Sequence, residues 1–216
     1  MLSPAFTACP TLAAIFRTFP GTEAATLTAP APAAAFGAAF GEKVRRGFTV
    51  RVPSGDNLVA QAALDYARPG DIIVIDAAGN TDRGMVGGMM LAYAEMRGLG
   101  GFVVNGAVRD LEDIQNGSLP VYGKAVSPLV PSRQGPGEMN VPVVCGGQVV
   151  MPGDILVGDR DGIVVIPRQE AAELLEAARK NLQDEQEAMA RMKAGTFPVE
   201  EHLESFTGSL LRHGGE

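Results

Sequence analysis

Two short stretches carry the residue types from which a site for a small anion and a cation can be built. Gly87-Gly88-Met89-Met90 opens a helix-forming segment directly after a polar, glycine-rich loop. Glycine lacks a Cβ, so backbone there can come close to a ligand. The unpaired N–H groups of a helix start attract carboxylates without any cationic side chain. Arg109-Asp110 follows an apolar stretch and a glycine-containing turn. The planar guanidinium fork suits two-point binding of a carboxylate. The oxygens of Asp110 suit a hard cation, Mg²⁺ or Mn²⁺. A 2-oxo acid needs this combination. Its carboxylate pairs with arginine and amides, while a cation across the keto oxygen and one carboxylate oxygen acts as a Lewis acid and stabilises an enolate. Cleavage of the neighbouring carbon–carbon bond then becomes accessible. The competing reading is a surface ion pair of little energetic value beside an ordinary turn.

Other polar residues offer less. His202 and His213 are the only histidines, and both fall in the last fifteen residues, where a loosely attached tail is the simpler reading. Asp82 and Arg83 lie in the loop before Gly87, where they could line the pocket, with a turn role expected for Asp82. Arg160-Asp161 reads as a turn between strands. Lys124 has no sequence neighbour that would lower its pKa for Schiff-base chemistry. A methyltransferase reading lacks a glycine-rich nucleoside loop with an acidic residue at the right distance.

The elements that must position these groups follow from periodicity and punctuation. A helix is expected over 11–19, stopped by Pro20-Gly21, and 21–41 is open between loop and weak helix. Residues 48–52 alternate as a strand, 53–57 turn, and Asp56 or Asn57 can cap a helix that runs to Tyr66. Ile72-Ile73-Val74-Ile75 and Phe102-Val103-Val104 are continuous apolar runs, the mark of strands buried on both faces. Between them, 77–86 reads as a loop and 89–97 as a helix ended by Gly98. A short helix is expected over 111–115 and strands over 121–126, 141–144 and 162–167, with 127–140 a loop. Pro152-Gly153-Asp154-Ile155-Leu156-Val157 echoes Pro69-Gly70-Asp71-Ile72-Ile73-Val74, which suggests two similar turn-to-strand corners in one domain. Residues 169–193 read as a long amphipathic helix with Ala172, Leu175, Ala178, Leu182 and Met189 on one stripe. Alternating strands and helices followed by short strands argue for an α/β fold with a mixed sheet.

Composition narrows the function classes. The 216 residues suit one domain, and 46% hydrophobic residues can supply a sizeable core. A net charge of −7 without a basic patch argues against nucleic acid. Cys9 and Cys145 share no CxxC spacing, so reduced thiols are expected rather than a disulfide or zinc framework. No apolar run reaches the ~18 residues a membrane span needs. Neither this nor the N-terminus suggests membrane or secretion, so a cytoplasmic protein is expected.

Asp56-Asn57, Pro69 to Val74, Gly98, Val103-Val104-Asn105-Gly106-Ala107-Val108-Arg109-Asp110 and Gly158 to Pro167 together resemble the RraA-like family. That family includes 4-hydroxy-4-methyl-2-oxoglutarate/4-carboxy-4-hydroxy-2-oxoadipate aldolases and regulators of ribonuclease E activity. The resemblance runs from about Gly47 to about Lys180, leaving 1–45 as a divergent segment and 196–216 as an arm of one domain. It implies a β/β/α swivelling-domain fold with a mixed sheet and a long C-terminal helix, assembled as homotrimers or homohexamers with sites between subunits. It implies that Gly87, Gly88, Met89 and Met90 hold pyruvate through backbone amides, that Arg109 holds the substrate carboxylate, and that Asp110 binds the divalent metal. Many family aldolases carry an acid at the position of Gly88. Asp113, at i+3 from Asp110, can face the same cation in its place, or stand as an ordinary solvated helix residue. The expected activity is a class II lyase that cleaves a 4-hydroxy-2-oxo dicarboxylic acid to pyruvate, with oxaloacetate decarboxylation as a side activity. The general base stays unassigned. The rival is a non-catalytic regulator that binds a ribonuclease or helicase.

Overall fold

A computed structural model describes residues 45–158 and 162–198, apart from the side chains of 172, 175 and 176. The expected helix over 11–19, Cys9, Arg160-Asp161 and both histidines lie outside the described residues.

The part up to Ala171 is built on a sheet of strands β1 (Arg45–Arg51), β2 (Ile72–Asp76), β3 (Gly101–Val108), β4 (Val121–Val126), β8 (Ile155–Gly158) and β9 (Ile163–Ile166). The order is β4-β3-β2-β1-β8-β9. The pairs β1–β2, β2–β3 and β3–β4 are parallel, and β1–β8 and β8–β9 are antiparallel, so the sheet is mixed. Helices α1 (Leu58–Tyr66), α2 (Gly88–Met96) and α3 (Leu111–Asn116) connect the four parallel strands in turn. The two-residue strand β5 (Glu138–Met139) pairs with the end of β1, and β6 (Val143–Cys145) with β7 (Gln148–Val150) forms a separate hairpin.

The period-2 alternation of strand side chains sorts the continuous apolar runs onto two faces. Phe48, Val50, Ile73, Ile75, Phe102 and Val104 face one core with Ala60, Ala63, Leu64, Met90, Leu91 and Ala94 of α1 and α2. Ile72, Val74 and Val103 face the other, under Val143, Cys145 and Val150 of the hairpin. The layers are therefore hairpin, sheet and helices, the β/β/α order expected. Each buried Ile or Phe contributes roughly 1.5–3 kcal/mol of transfer free energy.

The echoed corners are the same turn. Gly70 and Gly153 take φ of +86° and +89°. The Asp71 carboxylate accepts the Arg68 amide at 2.8 Å, and Asp154 accepts the Met151 amide at 2.9 Å. Asp71 also takes both an Nε and an Nη donor of Arg46, which ties β1 to the start of β2.

Three elements differ from expectation. β1 begins at Arg45, three residues earlier. β3 runs through Asn105-Gly106, which reads as a turn in the sequence. A Cβ on Gly106 would meet the Asn80 carbonyl at 2.8 Å and Ala77 at 3.1 Å, so this glycine marks a close approach within a strand. Finally, β5 stands within the stretch 127–140 that was expected as a loop.

Helix α4 (Ala171–Lys193), described by itself, spans 23 residues with Arg191 and Lys193 in its last turn. Leu174 is buried, Ala178 and Leu182 are half-buried, and Met189 and Met192 are exposed. Among the described residues no helix is long and apolar enough to cross a membrane.

Candidate functional site

The site gathers where the loop before α2 meets the turn between β3 and α3. The loop is pinned from several sides. Met85 N–H donates to the Ala107 carbonyl at 2.8 Å and Arg109 N–H to the Val86 carbonyl at 2.8 Å, so it runs beside the end of β3. Gly84 is required here, because a Cβ would collide with Arg109 Cβ and the Ser127 carbonyl.

Asp56 and Asn57 divide the work the sequence assigned to either as a helix cap. Asp56 caps α1 by accepting the Leu58 amide at 2.9 Å, and it also accepts from Ser132 and the Gln134 amide. Its burial raises the carboxyl pKa, but those donors outweigh it and hold it below the usual range. Asn57 is fully buried. Its Nδ2 donates to the Met85 carbonyl at 2.8 Å and lies 3.7 Å from Met90 Sδ. It therefore ties α1 to the loop and to the first turn of α2.

Asp110 is the N-cap residue of α3 but makes no side-chain cap bond to that helix. Its φ is +58°, a left-handed conformation rare outside glycine. That backbone turns the carboxylate toward α2, where Oδ2 accepts the Gly88 amide at 2.8 Å. The anion thus sits at the positive end of α2. Arg109 Nε lies 3.7 Å from the same Oδ2. Arg109 is 22% exposed and Asp110 42%, so both reach solvent.

Asp113 completes the group. Its carboxylate occupies the space where a side chain on Gly88 would begin, with Cγ 3.1 Å from the position of an added Cβ. Gly87 is hemmed in likewise by Asp110 Oδ2 and Arg109 Nε. Arg109, Asp110 and Asp113 therefore converge on Gly87 and Gly88. The amides are less bare than expected: Gly88 is taken by Asp110, and Met90 donates to the Gly87 carbonyl at 2.9 Å. The Gly87 and Met89 amides have no acceptor among the described residues.

The remaining candidates lie elsewhere. The Asp82 and Arg83 amides both donate to Asn80 Oδ1, and the Arg83 guanidinium donates to the Val130 carbonyl, so both serve the loop. Lys124 Nζ sits beside Gly79, in the loop after β2. Glu95, unremarked in the sequence, lies two turns along α2 from Gly88. It accepts the Ser118 amide at 3.0 Å and the Ser118 hydroxyl at 2.8 Å. A helical i+7 relation to Gly88 was the available signal.

Residues 30–165 match the RraA-like family, described as Aldolase/RraA. A Halalkalibacterium halodurans protein provisionally named a 4-hydroxy-4-methyl-2-oxoglutarate aldolase is 37% identical over 156 residues, covering 72% of this chain and 74% of its own. The 4-hydroxy-4-methyl-2-oxoglutarate aldolase of Thermus thermophilus is 32% identical over 130 residues, covering 60% and 77%. The crystal structure of a Streptomyces coelicolor protein, titled an unusual member of the RNase ES inhibitor RraA family, aligns with a TM-score of 0.61 at 29% identity, over 69% of this chain and 77% of that one. The match over residues 30–165, more than half its length, places this chain in the RraA-like family.

Proposed function

We propose that this chain is a divalent-cation-dependent, class II carbon–carbon lyase acting on a 4-hydroxy-2-oxo acid and releasing pyruvate. The dicarboxylic 4-hydroxy-4-methyl-2-oxoglutarate, for which its relatives are named, is the reference substrate. The observation that carries the reading is the convergence of Arg109, Asp110 and Asp113 on the start of α2.

The donor set fits Mg²⁺ or Mn²⁺. Asp110 and Asp113 offer hard oxygens on either side of Gly88, and a cradle without a Cβ lets both approach. Among the described residues no three or more His, Cys, Asp or Glu side chains are grouped so that they could hold a metal ion by themselves. Mg²⁺ is commonly held by one or two carboxylates plus waters and substrate oxygens. When bound there, the cation supplies Lewis-acid polarisation of the substrate ketone. Arg109 pairs with the substrate carboxylate, and the Gly87 and Met89 amides orient its pyruvyl end. In the cleavage the 4-hydroxyl loses its proton and the C3–C4 bond breaks toward C3. The released pyruvate enolate then regains a proton at C3. Oxaloacetate reaches the same enolate by losing CO₂, so its decarboxylation is the expected side activity. In this reading the active unit is a homotrimer or homohexamer in the cytoplasm.

The test is pyruvate release from 4-hydroxy-4-methyl-2-oxoglutarate and from oxaloacetate. Release that needs Mg²⁺ or Mn²⁺, stops with EDTA and falls at least about 100-fold in Arg109→Ala supports the reading. The similarity to an RNase ES inhibitor family favours one rival, a regulator that binds a ribonuclease. Slowing of such a ribonuclease, with no cation-dependent pyruvate release from either compound, would establish that rival instead.

A further inference from the structure

The candidate centre opens into a groove between α2 and α3 with a volume of about 340 Å³. Gly88 and Asp113 form one end of it, and Leu91, Ala92, Glu95 and Leu119 continue it along α2. Its size suits part of a small organic molecule. Glu95 lies seven residues beyond Gly88, about 10 Å along the helix axis. Hydrogen bonds from the Ser118 amide and hydroxyl fix its carboxylate and hold its pKa below the usual range, so it is ionised at neutral pH. No Lys, Arg or His is among the described residues that line the groove. Its chemistry is therefore apolar and anionic, although it adjoins a site suited to a carboxylate.

We infer that this groove receives the C4 substituent of the substrate, and that it selects an uncharged substituent over one bearing a second carboxylate. This rests on the lyase reading and narrows it. The preferred substrates are monocarboxylic 4-hydroxy-2-oxo acids with an alkyl or hydroxyalkyl end. A second carboxylate would lie against Leu91 and Ala92 with the Glu95 carboxylate ahead of it and no countercharge among the described lining residues. An alkyl chain buries the same apolar surface at no electrostatic cost.

The reverse reaction tests this cleanly. Pyruvate loses a C3 proton, its C3 bonds to the carbonyl carbon of an aldehyde, and the aldehyde oxygen takes up a proton as the new 4-hydroxyl. With Mg²⁺ and pyruvate, two acceptors of similar length are compared, neutral pentanal and anionic 4-oxobutanoate. The expected result is a kcat/KM about tenfold higher for pentanal, the discounted effect of a like charge in a partly wetted groove. Glu95→Gln, which keeps the acceptor for Ser118, narrows that ratio. Ala92→Lys, at an exposed position of α2, reverses it. Exchange of the pyruvate methyl protons with deuterium, measured without any aldehyde, reports the lyase chemistry separately. No Mg²⁺-dependent exchange removes the lyase reading and the inference with it. Exchange accompanied by equal use of both acceptors, by preference for 4-oxobutanoate or by use of neither overturns the groove assignment alone.

Discussion

Asp110 adopts a backbone conformation that its own helix does not require. An N-cap residue normally has extended geometry and bonds to its own first turn. Asp110 instead sits at φ +58° and gives its carboxylate to the Gly88 amide of another helix. Left-handed backbone at a non-glycine residue costs on the order of 1 kcal/mol and persists where the surroundings enforce it. Asp110→Gly relieves that cost and loses the favourable charge at the start of α2, terms of similar size. Stability in urea is therefore expected to change by less than about 1 kcal/mol, while Mn²⁺ binding is lost. A stability loss of several kcal/mol with Mn²⁺ binding intact would mark the residue as structural. Asp113 makes a complementary case, since its carboxylate and a Gly88 side chain compete for the same space. Asp113→Ala is expected to weaken Mg²⁺ binding by about tenfold, and the double change Gly88→Asp with Asp113→Gly to recover much of it. Unchanged affinity in Asp113→Ala, read by calorimetry, would make that residue a bystander.

The glycine-led start of α2 is set in place by its neighbouring elements. Asn57 binds the Met85 carbonyl from the head of α1, and β3 binds the loop through Met85 and Arg109. Asn57→Ala leaves a buried carbonyl without its donor, at a cost of roughly 1–3 kcal/mol in urea unfolding. Asn57→Ala should also raise KM for the 2-oxo acid, because the loop carries Gly87; an unchanged midpoint would show the tether to be dispensable. Much of this scaffold was legible beforehand. The runs at 72–75 and 102–104, the helix starts near 58 and 88, and the Pro-Gly-Asp echo all became the elements they resemble. The misses have physical causes. Asn105-Gly106 looks like a turn, yet Asn105 is spent inside the sheet, donating to Asp76 Oδ1 and the Val144 carbonyl at 3.0 Å each. The β6–β7 hairpin had a signal, Gly146-Gly147 between two short apolar runs, with both glycines at positive φ. The seating of Asp113 against Gly88 was only half legible. The i+3 spacing placed it one turn from Asp110, but nothing local reveals which distant backbone it meets.

At the scale of the whole molecule, the two-sided burial of the sheet accounts for both stability and thiol chemistry. Cys145 lies in the core between sheet and hairpin. Burial, helped by the nearby Asp76 carboxylate and opposed by Lys124, pushes its thiol up to about 12 from an ordinary 9.0. The folded state thus favours the neutral thiol. Its contribution is fully present below pH 9 and is lost as the pH rises from 9 toward 12. Stability measured against Cys145→Ala should show that extra alkaline decline, and the native thiol should resist alkylation at pH 8 until the chain unfolds; rapid modification of folded protein would place the thiol at the surface. Arg109, Asp110 and Asp113 meet at the start of α2. Whether a cation and a 2-oxo acid share that place is read by titrating Mn²⁺ by electron paramagnetic resonance with and without pyruvate. A cation and a 2-oxo acid sharing one site must strengthen each other's binding reciprocally. Pyruvate is expected to tighten Mn²⁺ severalfold, Arg109→Ala to remove the tightening and Asp110→Asn to remove the binding. Mn²⁺ affinity indifferent to pyruvate and to Asp110→Asn would contradict a shared site.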